Sequence, residues 1–216
     1  MKIRTNEHLV DRLSSELAWR RKELAVLRAM IQSNQGKQTL SQTMIRSGVT
    51  VLYAHWEGFV RAACSAYLEY VSRKRLRYCD ISIPFLALAF KSKLNAVISS
   101  DRASIFIDAT SFILNCQNEQ CDIPWKDGIN TKSNLSSKVL REIILLIGLD
   151  YSFYETKEKL IDQSLLYFRN NIAHGREIYP SHSLVMNLFH EIIDLMNILR
   201  NQIENAAATE QYKRRN

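Results

Sequence analysis

Glycine and proline are scarce in this sequence, whose 216 residues include six glycines and three prolines. A fold of many short strands needs frequent turns, and turns draw on these two residues. Their scarcity therefore argues against a sandwich or a barrel. Apolar residues recur instead every three or four positions, which is the period of an amphipathic helix. We predict an all-α fold, a bundle of long antiparallel helices.

Cysteines are also few, and they are not spaced as metal ligands. None of the four forms a CxxC pair or lies at zinc-finger spacing from a histidine. Cys116 and Cys121 are close in sequence within a predicted loop, which is a weak sign of a metal site. We favour buried or incidental thiols in a reducing compartment, and we expect no metal and no cofactor.

Long apolar runs are missing, since no stretch reaches the roughly 20 residues of a membrane-spanning helix. The N-terminal stretch MKIRTNEHLVDRLSSELAWRRKEL is charged throughout and lacks the apolar segment of a signal peptide. We therefore expect no membrane partner and a cytoplasmic location.

Acidic residues are outnumbered by basic ones, 22 against 29, for a formal net charge of +7. This excess favours an anionic partner, with nucleic acid first and a membrane surface second, although many basic proteins bind no nucleic acid. A basic run lies at the predicted end of the second helix. It is either a solvated helix end that the helix dipole favours or a surface that tracks RNA. Its members are Arg73, Lys74, Arg75 and Arg77.

The apolar pattern predicts one domain over residues 1–216. We expect a core from about 41 to 207, an N-terminal part (1–40) whose helix packs on that core, and a frayed tail at 208–216. Between the helices, the polar stretch 115–134 is predicted to be a long loop, and such loops are often functional. The predicted helices cover roughly 5–33, 41–78, 84–99, 101–114, 133–150, 155–174 and 181–207.

The stretch YFRNNIAHGRE, residues 167–177, places polar groups where the flanking pattern predicts burial. On a regular helix Asn170 and His174 share a face. Arg169 lies about 140° from His174 around the axis, from 3.6 residues per turn. The two side chains would meet if the helix end distorts at Gly175, if the arginine folds round, or if a second subunit completes the site.

A second stretch, YAHWEGFVR (53–61), combines an apolar stripe with a polar one. Trp56 and Phe59 lie on the apolar stripe, and we expect them in the core. The polar stripe has residues four apart on another face of the helix: Tyr53, Glu57 and Arg61. Glu57 and Arg61 form either an ordinary helix pair, which we favour, or a pair in which Glu57 instead reaches Arg169.

These motifs resemble a known family. RNNIAH fits the Arg-x4-6-His signature of HEPN domains, with Asn170 as the polar residue that commonly follows the arginine. YAHWEGFVR and SNLSSKVLREIILLIGLD (133–150) resemble segments of one bacterial branch of HEPN-like nucleases. The resemblance implies an all-α bundle, a homodimer with facing signature helices, and metal-independent RNA cleavage. It also implies a role as a toxin, in antiphage defence or in RNA processing, often with a cognate antitoxin or partner protein.

RNA carries its own nucleophile, the 2′-hydroxyl, so its cleavage needs only a base for the hydroxyl proton and a cation for the phosphate charge. The site residues can supply both. His174 can transfer protons near neutral pH, and the fork of Arg169 can hold a phosphate. Asn170 can orient the phosphate or hold the histidine tautomer. The predicted products are a 2′,3′-cyclic phosphate and a 5′-hydroxyl. Supporting roles are predicted for Glu57, Asn171 and Arg61.

Plain structural interpretations stay open beside this one. His174 can be a helix-end histidine, Arg169 can form a surface or interface ion pair, and both asparagines can be capping residues. Two functions therefore remain: an endoribonuclease, or a catalytically inactive helical dimer that binds RNA or a partner protein.

Overall fold

The computed structural model describes residues 2–36 and 38–215. Within them it contains eight α-helices, one 3-10 turn, one π-helical segment and no strand, so the all-α prediction is confirmed. None of the helices in this part of the chain is long and apolar enough to cross a membrane. The helices are α1 (Asn6–Ser33), α2 (Gln38–Ser72), α3 (Ile83–Ile98), α4 (Ala103–Asn115), α5 (Ser137–Leu146), α6 (Ser152–Glu155), α7 (Tyr167–Ala173) and α8 (His182–Ala208).

The three longest helices, α1, α2 and α8, pack against one another and supply most of the core. The Thr5 side chain caps α1 by accepting a hydrogen bond from the His8 N–H. The apolar stripe of α1 is buried as its sequence period predicts. The stretch between α1 and α2 is short, as is typical of antiparallel neighbours. Trp56 and Phe59 are fully buried on α2, which confirms their predicted place in the core.

The second helix is shorter than predicted, because α2 ends at Ser72 and not near residue 78. The chain then turns at Arg75, whose φ is 53°, and Tyr78 returns to the core against Phe90 and Phe112. Burial of an aromatic side chain therefore outweighs the helix propensity of the basic run.

The described part of the C-terminal tail, up to residue 215, is docked on the helices, so our prediction of a frayed tail is wrong there. Tyr212 is 1% exposed, and its ring meets Tyr70 edge to face at 5.8 Å. The Ser82 N–H donates to the Tyr212 carbonyl at 2.8 Å, and the Arg214 N–H donates to the Asp80 carbonyl at 2.9 Å. Burial of one aromatic ring and pairing of the backbone hold this segment against the start of α3.

The helix predicted at 155–174 is interrupted. It consists of α6, a π-helical segment (Leu160–Leu166) and α7. Asp162, inside the π-helical segment, accepts hydrogen bonds from the Ser137 N–H at 2.8 Å and the Ser137 hydroxyl at 2.5 Å. Its carboxylate thus sits at the positive N-terminal end of α5, and this contact ties α5 to the segment that leads into α7. π-Helical turns occur often near functional sites.

Candidate active site

The end of α7 presents His174 to solvent. The helix stops with the Gly175 N–H donating to the Ile172 carbonyl and the Arg176 N–H donating to the Asn171 carbonyl, both at 3.0 Å. This pattern is a Schellman motif, and it needs a left-handed residue, which Gly175 supplies at φ +72°. His174 is the last residue before that turn and is exposed. Among the described residues its imidazole makes no hydrogen bond.

Arg169 points in another direction, towards α2. Its guanidinium carbon lies 4.3 Å from the centroid of the Tyr53 ring. Its Nη1 donates to the Asn170 Oδ1 at 2.7 Å and lies 3.5 Å from the Asn134 Oδ1. The guanidinium is therefore held by one aromatic face and two carboxamides, and it stays half-buried and open to solvent.

Tyr53 is the support beneath that arginine. The side chain is 2% exposed, and its hydroxyl oxygen accepts a hydrogen bond from the Leu135 N–H at 2.7 Å. Burial raises the pKa of Tyr53 to about 12, while the Leu135 N–H opposes this shift. The nearby Glu57 carboxylate raises the pKa further, and the positive charge of Arg169 lowers it. The phenol is therefore neutral near pH 7, and its ring face is available to a cation.

Glu57 and Arg61 form the ordinary helix pair, with Arg61 Nη2 donating to Glu57 Oε1 at 3.2 Å. No hydrogen bond or ion pair joins Glu57 to Arg169 within the described ranges. Both members of the pair also bind Thr131. The Thr131 hydroxyl donates to Glu57 and accepts from Arg61, each at 2.5 Å, and Thr131 is fully buried. The polar stripe of α2 therefore anchors a loop.

The anchored loop, residues 130–135, has an unusual backbone. Lys132 and Ser133 have φ values of 53° and 55°, in the left-handed region that disfavours residues with a Cβ. Such conformations cost about 1–2 kcal/mol per residue, and strain of this kind often accompanies function. Bonds at Thr131 on one side and at Leu135 on the other hold the turn, and between them Asn134 lies beside Arg169.

Asn134 was not predicted as a site residue. The only signal in the sequence was the length and polarity of the stretch 115–134, which is typical of functional loops. Asn171, by contrast, acts locally. Its Nδ2 donates to the Tyr167 carbonyl at 2.7 Å, and its Oδ1 accepts from Arg176 at 3.0 Å, so it stabilises the end of α7.

The structure thus brings together Arg169, Asn170, Asn134 and Tyr53. No hydrogen bond joins the side chains of Arg169 and His174 in this part of the chain. The sequence geometry anticipated this separation, because α7 is regular between the two residues.

The cysteines lie apart from this site. Cys64, Cys116 and Cys121 are buried, and burial raises the pKa of all three thiols. Across residues 2–36 and 38–215, no group of three or more His, Cys, Asp or Glu side chains is arranged to hold a metal ion.

Comparison with known proteins adds one finding. The family model of the MAE_28990-like HEPN family matches residues 9–212. The match runs from α1 to the docked Tyr212, so it extends beyond the motifs that carry the resemblance in the sequence. Neither the curated proteins nor the solved structures include a significant match.

Proposed function

The chain belongs to the MAE_28990-like HEPN family, and we propose from this premise that it is an endoribonuclease. It cleaves RNA without a metal ion, acts as a homodimer, and serves as a toxin or an antiphage-defence effector, with a cognate antitoxin or partner protein restraining it. The observation that supports the proposal best is the Arg169 guanidinium. It is held by Tyr53 and Asn170 while remaining open to solvent, on the same short helix whose exposed end is His174.

The proposed reaction forms one bond and breaks one. The 2′-oxygen attacks the phosphorus, and the bond from phosphorus to the 5′-oxygen breaks, leaving a 2′,3′-cyclic phosphate and a 5′-hydroxyl. His174 takes up the 2′-hydroxyl proton, and the 5′-oxygen leaves with a proton from water or from the other copy of His174. Arg169 stabilises the charge on the nonbridging oxygens. We assign the NH2 groups of Asn170 and Asn134, whose oxygens face Arg169, as further donors to the same phosphate.

We place the dimer contact at α7, so that the two copies of this helix face each other. Tyr167 and His174 are seven residues apart, so they share a face of α7, and Tyr167 is 51% exposed. An exposed aromatic beside a polar site suits an interface. A two-fold axis along this face would place both copies of α7, and with them both copies of His174, together. Arg169 lies off this face, about 140° from His174 around the helix.

Total RNA incubated with purified protein in EDTA tests the reaction. Wild type is expected to cleave it. His174→Ala should abolish cleavage, and Arg169→Lys should reduce it strongly because an ammonium lacks the bidentate fork. The pH profile should follow a histidine. DNA, and RNA with a 2′-O-methyl group at the scissile position, should resist.

Wrong products would overturn the mechanism. Cleavage of 2′-O-methyl RNA at the same bond would exclude attack by the 2′-hydroxyl, and unchanged activity in His174→Ala would exclude the assigned base. A wild type that binds RNA without cleaving it would favour the inactive helical dimer. A protein that sediments as a strict monomer and yet cleaves RNA with full activity would refute the dimer. Growth arrest on expression, relieved by His174→Ala, is the corresponding test of the toxin role.

A further inference from the structure

A groove runs between α3 and α5 and is closed at one side by residues 128–132. We call it the α3–α5 groove. It encloses about 540 Å³, a size that suits a small ligand or roughly one or two nucleotides and not a duplex. Its floor is aliphatic, with Leu94 42% exposed and Ile98 82% exposed. The other apolar side chains of the floor are Ala87, Val139, Ile143 and Leu146.

Three lysines line this groove: Lys91, Lys132 and Lys138. All three are exposed, and none of them forms an ion pair with a carboxylate of the described residues. Glu142 is the one acidic residue among the lining side chains. The groove therefore carries a net positive charge on cations that no ion pair engages, and such cations gain most from an anionic ligand.

The basic run at 73–77, the other candidate for binding RNA, is different. Arg73 bonds Glu69 and Arg77 bonds Asp80, each at 2.7 Å. The ammonium of Lys74 lies 4.2 Å from the centroid of the Tyr70 ring. Phosphates that bound here would first have to compete with these contacts, so the run is a weaker anion site than its composition suggests.

The groove begins next to the proposed active site. Lys132 and Asn134 are two residues apart, so their Cα atoms are at most about 7 Å apart. Asn134 in turn adjoins Arg169. An RNA chain whose scissile phosphate binds Arg169 would therefore pass close to Lys132. The strained loop thus carries one residue of the site, Asn134, and two residues of the groove lining, Asn130 and Lys132.

We propose that the α3–α5 groove binds the single-stranded RNA that flanks the scissile phosphate, an inference that rests on the proposed nuclease function. The lysines pair with backbone phosphates, and the bases lie on the aliphatic floor. Because that floor offers no hydrogen bonds, and Asn95 and Asn130 are the only carboxamides of the lining, we expect the groove to contribute affinity with little base preference.

Binding of fluorescent 2′-O-methyl RNA tests the groove without depending on cleavage. The groove variant is Lys91→Gln, Lys132→Gln and Lys138→Gln. The control variant, Lys74→Gln, Arg75→Gln and Arg77→Gln, changes the net charge by the same amount. In single strands each phosphate contact adds about 0.7 to the slope of log affinity against log salt.

The groove variant should therefore lose about 2 from that slope, and the control should keep the wild-type value. Strands of roughly ten nucleotides should bind wild type more tightly than strands of three, and this gain should disappear in the groove variant alone. Thermal unfolding checks that each variant is folded. Photo-cross-linking of 4-thiouridine RNA to wild type adds an independent measurement and should label 91–98 or 138–146.

A wild-type slope in the groove variant, a loss confined to the control, or cross-links elsewhere would overturn the proposal. An acidic helix of a partner protein would then replace RNA as the expected ligand of the groove. Lysine-dependent binding of 2′-O-methyl RNA, together with no cleavage of unmodified RNA by the same protein, would instead count against the nuclease function and support the groove as an RNA-binding site.

Discussion

Replacement of Tyr53 tests how the structure holds Arg169. One side chain has two tasks, because its ring supports the guanidinium and its hydroxyl accepts the Leu135 N–H. Two substitutions separate them. Tyr53→Phe keeps the ring and removes the hydroxyl, while Tyr53→Leu removes both.

The magnitudes follow from the burial of these groups. Leu135 is fully buried, so Tyr53→Phe leaves its N–H without an acceptor and should cost about 1–3 kcal/mol of unfolding free energy. The cation–π contact of Arg169 contributes about 0.5–2 kcal/mol. Its loss in Tyr53→Leu should lower kcat/KM by roughly 2- to 30-fold if Arg169 must be held for the transition state.

The assay pairs urea unfolding with RNA cleavage at a temperature where every variant is folded. Tyr53→Phe should lose stability and keep most of its kcat/KM, and Tyr53→Leu should lose both. Tyr67→Leu is the matched control, because Tyr67 is a buried tyrosine of the same helix that stacks on Tyr70 and meets Phe85 edge to face. Wild-type kcat/KM in Tyr53→Leu, or an equal loss in Tyr67→Leu, would refute the reasoning.

Three further predictions concern the stability of the fold. Thr131→Val should lower the free energy of unfolding in urea by about 1–3 kcal/mol, because it removes the hydroxyl that joins Glu57 to Arg61. Thr131→Ser keeps a hydroxyl and should retain most of the stability. Equal losses in the two variants would show that the hydroxyl is not the stabilising group. Burial lowers the pKa of His55 below 6.5, so the fold prefers its neutral form. The contribution of neutral His55 to the free energy of unfolding is complete above pH 6.5 and is lost as the pH falls towards the lowered pKa. The melting temperature should therefore vary less between pH 5 and 7 in His55→Gln than in wild type. An unchanged dependence on pH would show that His55 is not the group responsible. Tyr212→Ala should cost about 3–5 kcal/mol, measured by urea unfolding, whereas a frayed tail would predict no change.

Much of the helical architecture follows from local pattern. Residues such as Leu188, Ile192, Leu195 and Leu199 recur at helical spacing, and all are buried along α8. Thr5, Ser136 and Ser181 cap the helices that follow them, and Gly148 and Gly175 take the left-handed conformation just past helix ends. These features depend on neighbours within a turn or two, which is why the helices could be predicted from the apolar period, although the caps at Thr5 and Ser181 were not predicted.

Where packing competes with local preference, prediction from sequence failed. The basic run is composed of good helix formers, yet α2 ends before it because Tyr78 is drawn into an aromatic cluster. The tail has little apolar content, yet one ring, Tyr212, finds a pocket beside Tyr70. In both cases the stabilising contact lies far along the chain.

The candidate site also has a part that the sequence predicted and a part that only the tertiary structure determined. The residues Arg169, Asn170 and His174 were recognised as a motif, and regular helix geometry predicted that Arg169 and His174 point apart. The support of Arg169 could not be read from the sequence, because Tyr53 and Asn134 reach it from distant parts of the chain. Helical period is a property of neighbouring residues, whereas the direction of a guanidinium depends on which helix and which loop the fold packs beside it.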